Sequence, residues 1–177
     1  MLWRHPNIRL PNNYSAARHR FNQLIRRLPA HPELYMKYKS VIDQLVAKGY
    51  ARKMTKKEVD TLRERTWYLP HHPMTNVNEP GKVCVMKDAA AIFQGSSLNA
   101  LLITGPDLLN PLVGVLTRFR RDPVAIGGDI EAMFHQVRVT EEDSDSLRFL
   151  WTEDIFSDDE PYVLKMMVHI FLEQRIP

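Results

Sequence analysis

The run Val124-Ala-Ile-Gly-Gly-Asp-Ile-Glu-Ala-Met-Phe-His-Gln-Val-Arg-Val139 decides how the chain is read. Its first half is a short apolar run that ends on a carboxylate, Asp129. Its second half alternates Phe134, Gln136 and Arg138 against His135, Val137 and Val139, the period of an extended chain. The pattern predicts strand, turn, strand. Asp129 then falls where a buried strand runs out, with Gly127 and Gly128 leaving room for backbone or a ligand to approach closely. A carboxylate so placed can hold a hard cation.

Upstream of this run, Arg121-Asp-Pro123 marks a boundary. Before it, Leu108, Leu109, Leu112, Val115, Leu116 and Phe119 turn with a helical period behind Gly105-Pro-Asp107. Pro106 sits in the first turn, and Pro111 falls early enough to be tolerated or to bend the helix. Arg118, Arg120 and Arg121 close that helix where cations suit its dipole, with template contact as their other possible role. Phe93-Gln-Gly-Ser-Ser-Leu-Asn99 predicts a loop, its Gly95 suited to positive φ. Asn78-Glu-Pro-Gly81 is turn chemistry, and a strand over 82–87 follows it. Trp67-Tyr-Leu-Pro-His-His-Pro73 reads as extended, because each proline holds its predecessor out of the helical region. Its adjacent histidines invite zinc, but four ligands at a recognisable spacing are missing, so a surface or proline-turn role is expected.

The front of the chain is helical and basic. Phe21, Leu24, Ile25 and Leu28 recur at helical spacing among Arg18, Arg20, Arg26 and Arg27. His31-Pro32-Glu33 starts a second helix that Gly49 ends, and Thr55-Lys-Lys-Glu58 has the form of a capping box opening a short third helix toward Glu64. The cations of this region are equally suited to solvated faces and to phosphate contacts. Downstream of Val139, Thr140-Glu-Glu-Asp-Ser-Asp145 predicts a capped acidic turn, and Leu147-Arg-Phe-Leu-Trp151 a strand. Asp158-Asp-Glu-Pro161 reads as a solvated turn, with a further strand from Tyr162 to Phe171.

Composition adds a charge asymmetry. Residues 1–87 hold 17 Lys and Arg against 6 Asp and Glu, a surplus of 11 positive charges, whereas residues 88–177 hold 7 against 15, a surplus of 8 negative ones. A basic module beside an acidic one fits a nucleic-acid grip next to a metal-binding centre, or two surfaces that partly neutralise each other. The single cysteine, Cys84, permits no internal disulfide and suggests a reducing compartment. No apolar run approaches the length of a membrane span, and the first residues lack the apolar core of a signal peptide. An intracellular protein, cytoplasmic or nuclear, is expected.

These motifs carry a resemblance. Asp129 with an aromatic, Phe134, five positions on resembles the first catalytic motif of reverse transcriptases. The wording Asp-Ile-Glu-x-Met-Phe-His-Gln-Val-Arg-Val is similar to retrotransposons of the Pao/BEL group. The likeness extends through Tyr68-Leu-Pro-His-His-Pro73, Gly81-Lys-Val83, residues 93–99, Gly105-Pro-Asp-Leu-Leu-Asn110, residues 147–151 and Val168-His-Ile-Phe171. It implies an α+β fold: the fingers of a right-hand polymerase plus the first palm strands, with a helical N-terminal region. The expected segments are a basic helical region 1–65, fingers 66–121, the start of the palm 122–171 and a divergent tail 172–177.

The resemblance also implies roles. Asp129 and the carbonyl of Ile130 are expected as Mg2+ ligands, with Asp129 catalytic in two-metal nucleotidyl transfer. Lys82 is expected on the incoming triphosphate, and Phe134 against the sugar, where its ring excludes a 2′-hydroxyl. The implied partners are an RNA template, a DNA primer and deoxynucleoside triphosphates. Relatives usually show arginine where this chain has Cys84, and Met86 and Lys87 replace a more apolar pair. The remaining metal ligands are expected from a later hairpin of pattern aromatic-x-Asp-Asp, which this chain is expected to lack, Asp158 and Asp159 being read as solvated. We therefore expect a fragment, truncated before that hairpin and inactive as a polymerase by itself, and self-associating through an open sheet edge. The alternative is a non-catalytic nucleic-acid-binding or interaction protein.

Overall fold

The computed structural model describes residues 1–76, 79–103, 105, 108–124, 126–157 and 159–170. Two helices lead, α1 (Tyr14–Arg27) and α2 (Pro32–Ala47), joined by a 3-10 turn over Leu28–Ala30. Both form for the reason the spacing predicts: Ala17, Phe21 and Leu24 of α1 and Tyr35, Tyr38, Ile42 and Leu45 of α2 are buried on one side. Pro32 occupies the first helical position, and Gly49, at φ +69°, turns the chain out of α2 into β1 (Ala51–Lys53).

The short α3 (Lys56–Asp60) opens on the expected capping box, with the Thr55 hydroxyl accepting from Glu58 N–H and the Glu58 carboxylate from Thr55 N–H. It ends at Asp60, earlier than the sequence suggests. The stretch after it is extended and fully buried at Trp67, Tyr68 and Leu69. Asn13 clasps this stretch, its amide nitrogen donating to Tyr68 O and its oxygen accepting from Tyr68 N–H, both at 2.8 Å.

A hairpin follows, β2 (His71–Asn76) paired antiparallel with β3 (Glu79–Lys87), its register shifting at Thr75 and Asn76. The predicted turn residue Asn78 lies outside the described residues. After α4 (Leu98–Leu101), capped by the Ser97 hydroxyl, and α5 (Leu112–Phe119), the chain reaches α6 (Glu141–Ser144), capped by Thr140 as predicted. Two strands close the fold, β4 (Arg148–Trp151) and β5 (Tyr162–Met166). They form a three-stranded antiparallel sheet in the order β1-β5-β4.

The protein is therefore α+β with small antiparallel sheets, and α1 and α2 pack on the larger one. Trp151 of β4 meets Phe21 and Tyr38, at ring separations of 6.5 and 5.4 Å. Beneath the sheet lies a buried ionic knot: Arg148 donates to Asp145 Oδ1 at 2.9 Å and to the Tyr68 hydroxyl at 3.2 Å. Lys165 binds Glu141 and stands 3.6 Å from the same Asp145 oxygen. No helix among the described residues is long and apolar enough to cross a membrane.

Besides the early ends of α3 and of β5, which stops at Met166 while Phe171 lies outside the described residues, three sequence expectations need correction. Residues 124–139 are not strand, turn, strand: 126–130 are irregular, and Met133–Gln136 is a 3-10 turn entered through Ala132 at φ +50°. Only 137–139 run extended, with Val139 N–H donating to Met167 O and His169 N–H to Val137 O. The alternation was real, but no strand pairs with 126–130 among the described residues. The helix foreseen behind Gly105 starts only at Leu112, since Pro111 serves as its N-cap and not as an internal residue. Residues 106 and 107, expected to open it, lie outside the described residues. Of the two histidines expected in a surface or proline-turn role, His72 is exposed but His71 is buried.

Candidate functional site

The strand β3 alternates sides. Val83 and Lys87 are buried, in keeping with the period of two, while Lys82 projects into solvent and pairs with Glu79 at 2.7 Å. Across from β3 stands the Met133–Gln136 turn, fixed by ring contacts and a hydrogen bond. His135 lies 4.9 Å from the Tyr50 ring, Phe134 stacks on His169 at 6.1 Å, and the Gln136 amide donates to Glu131 O at 2.9 Å.

Between strand and turn is a cavity of about 350 Å³. Val41 and Leu45 of α2 floor it, residues 83–87 of β3 make one wall, and residues 132–135 with Ile170 make the other. Its polar members are few: Cys84, Lys87 and His135. Lys87 is 5% exposed. Its ammonium lies 5.0 Å from the centre of the Phe149 ring, and burial pushes its pKa down to about 8. Burial, then the charges of Lys87 and Lys48, hold His135 below the ordinary histidine value. The walls are otherwise apolar.

The structure thus brings Phe134 and Cys84 to one cavity and leaves the other expected residues outside it. Asp129 and Ile130 are exposed in the irregular stretch before the turn. Gly127 and Gly128 do not have positive φ, and no atom stands within 4 Å of where a Cβ would be, so no described backbone approaches them closely. Glu131 reaches Lys48 at 3.5 Å in solvent. Among the described residues no three His, Cys, Asp or Glu side chains come together as a cation would need. As donors, Asp129 and the Ile130 carbonyl alone do not fit a two-magnesium centre.

Phe156-Ser157-Asp158-Asp159 does spell aromatic-x-Asp-Asp, and it lies in the connection between β4 and β5. Asp158 is outside the described residues; Asp159 is exposed, and its N–H donates to the Ser157 hydroxyl. This loop flanks the N-terminal half of α2, with Glu153 3.9 Å from Lys39, whereas the Asp129 segment flanks its C-terminal end through Lys48. Those two lysines are separated by nine residues of α2 and its cap, roughly 14 Å. Among the described residues, then, the two segments meet different parts of α2.

The residue that sequence reading undervalued is Lys87. It was noted as a departure, yet its signal was available: it continues the inward face of Val83 and Val85. No family model, curated protein or solved structure matches the chain.

Proposed function

We propose that the chain is the fingers and the opening of the palm of a Pao/BEL-like reverse transcriptase, an RNA-directed DNA polymerase. The observation that carries this reading is the cavity, where β3 with Cys84 faces the turn with Phe134. The motif resemblance gives both positions to the incoming nucleotide, and they are far apart in sequence. In that role the Phe134 ring lies under C2′ and leaves no room for the extra oxygen of a ribonucleotide. Lys82, exposed on the same strand β3, adds a point charge toward the triphosphate.

Magnesium would be held by Asp129 and the Ile130 carbonyl in the family. The donor set described above is incomplete, so no step of nucleotidyl transfer is derived for this chain. An RNA template and DNA primer are gripped electrostatically. Arg26, Arg27, Lys37 and Lys56 make no ion pair among the described residues and are free for phosphates.

Primer extension on an RNA template with deoxynucleotides and magnesium, run beside binding of the same duplex at low and high salt, tests the reading. The expected result is affinity that falls steeply with salt, without extension. No binding even at low salt would remove the nucleic-acid reading, and extension abolished by Asp129→Asn would overturn our account of the metal ligands. Binding of dTTP separates the polymerase reading from a non-catalytic nucleic-acid-binding protein. Cys84→Arg raises the affinity for dTTP if the cavity is a nucleotide site, and leaves it unchanged in the alternative.

A further inference from the structure

Lys87 makes no hydrogen bond and no ion pair among the described residues, although it is almost fully enclosed. Among the described residues, the cavity that it lines carries no carboxylate on its walls. His71 and His135, the histidines that feel its charge, are both held toward the neutral form, first by burial. A buried cation without an anion costs stability, and an apolar side chain would fill its place better. A fold that keeps such a group at the wall of a cavity has an anion-shaped vacancy in its electrostatics.

We propose that this cavity binds a small monoanionic amphiphile, a carboxylate on a short apolar body, with its carboxylate paired to the Lys87 ammonium. Among the described residues one formal positive charge lines the site, so a monoanion balances it. A phosphate dianion held wholly inside the cavity asks for several convergent donors, and among the described residues Cys84 and His135 are the other polar side chains on the walls, Lys82 standing outside it. Val41, Leu45, Val83 and Val85 suit an aliphatic or aromatic body, and about 350 Å³ lies at the lower end of the range for ligand pockets. The assignment rests on the cavity alone and does not require the polymerase reading.

The test is calorimetric titration of the whole protein with octanoate and with octanol, its uncharged counterpart. Octanoate is expected to bind at least about tenfold more tightly, the worth of one charge-assisted contact. Lys87→Met should erase that preference, and Lys87→Arg should retain it. Lys87→Gln serves as a second neutral variant, with a thermal melt of each to show that it folds. Equal affinity for the acid and the alcohol overturns the proposal, as does a preference that survives in Lys87→Met and Lys87→Gln. Tight binding of dTTP without any binding of octanoate overturns it too, while leaving the polymerase reading standing.

Discussion

The Nε2 atom of His71 lies 2.7 Å from the carbonyl oxygen of Leu150, and a carbonyl only accepts. The ring proton therefore sits on Nε2, and Nδ1 accepts from the Tyr38 hydroxyl. Protonating Nδ1 would reverse the second contact and leave the Tyr38 hydroxyl proton to find another acceptor inside the core, and burial, with the charge of Lys87, holds the pKa down to about 4. Because the folded value lies below the unfolded one, the unfolded chain takes the proton first. Stability is complete above about pH 6.5 and is lost as pH falls toward 4, by roughly 3 kcal/mol from this group. Urea unfolding followed from pH 7 to 4 should show the decline, with a shallower slope in His71→Gln; an unchanged slope would assign the loss to other groups. Asp145 is the complementary case. It is buried between Arg148 and Lys165 and also meets Arg63 at 3.2 Å. Asp145→Asn leaves Arg148 without its carboxylate, and we predict a loss of about 3 kcal/mol or more in the same measurement.

At the scale of elements, legibility followed burial. The apolar spacing of α1 and α2 was readable because Phe21, Leu24, Tyr38 and Ile42 are placed by one requirement, to face a core, and both sequence and structure answer to it. The capping box at Thr55 and the cap at Thr140 were readable because they are local hydrogen bonds between residues three apart. The 124–139 stretch failed because a strand needs a partner strand, and alternation alone does not supply one. Asp129 inherited that error, since its expected place was defined by the strand. The cavity was invisible for another reason: Val41, Cys84 and Phe134 meet only through tertiary packing. Helix α5 shows the limit of periodicity in the other direction, for it is amphipathic yet Leu112, Val113, Leu116 and Phe119 are all exposed. Substituting Leu112 and Leu116 together by Gln should therefore change the folding stability by no more than about 0.5 kcal/mol. A loss of several kcal/mol in chemical denaturation would show that α5 is packed in solution.

Across the whole molecule the two charge surpluses meet each other. Arg18 with Glu160, Arg20 with Asp88, Arg52 with Glu141 and Arg65 with Glu142 all join the basic half to the acidic one, so part of the asymmetry is spent inside the fold. An apolar stretch is also left exposed. Leu108, Leu112, Leu116, Phe119, Ile126 and Ile130 stand in solvent within one stretch of chain, more than scattered surface residues account for. The open sheet edge is the smaller hazard, because β4 is met on its outer side by Leu69 N–H donating to Arg148 O and Arg148 N–H to Trp67 O. We predict that the protein associates through the stretch around α5, with weight-average mass in sedimentation rising with protein concentration. Sodium sulfate should strengthen the association, since excluded salts favour apolar burial, whereas an association held by ion pairs between the two charge surpluses would weaken as salt screens it. The Leu112→Gln, Leu116→Gln double variant should move the distribution toward monomer without altering the melt. Association that persists in this variant and dissolves in salt would instead make the charged surfaces the cause.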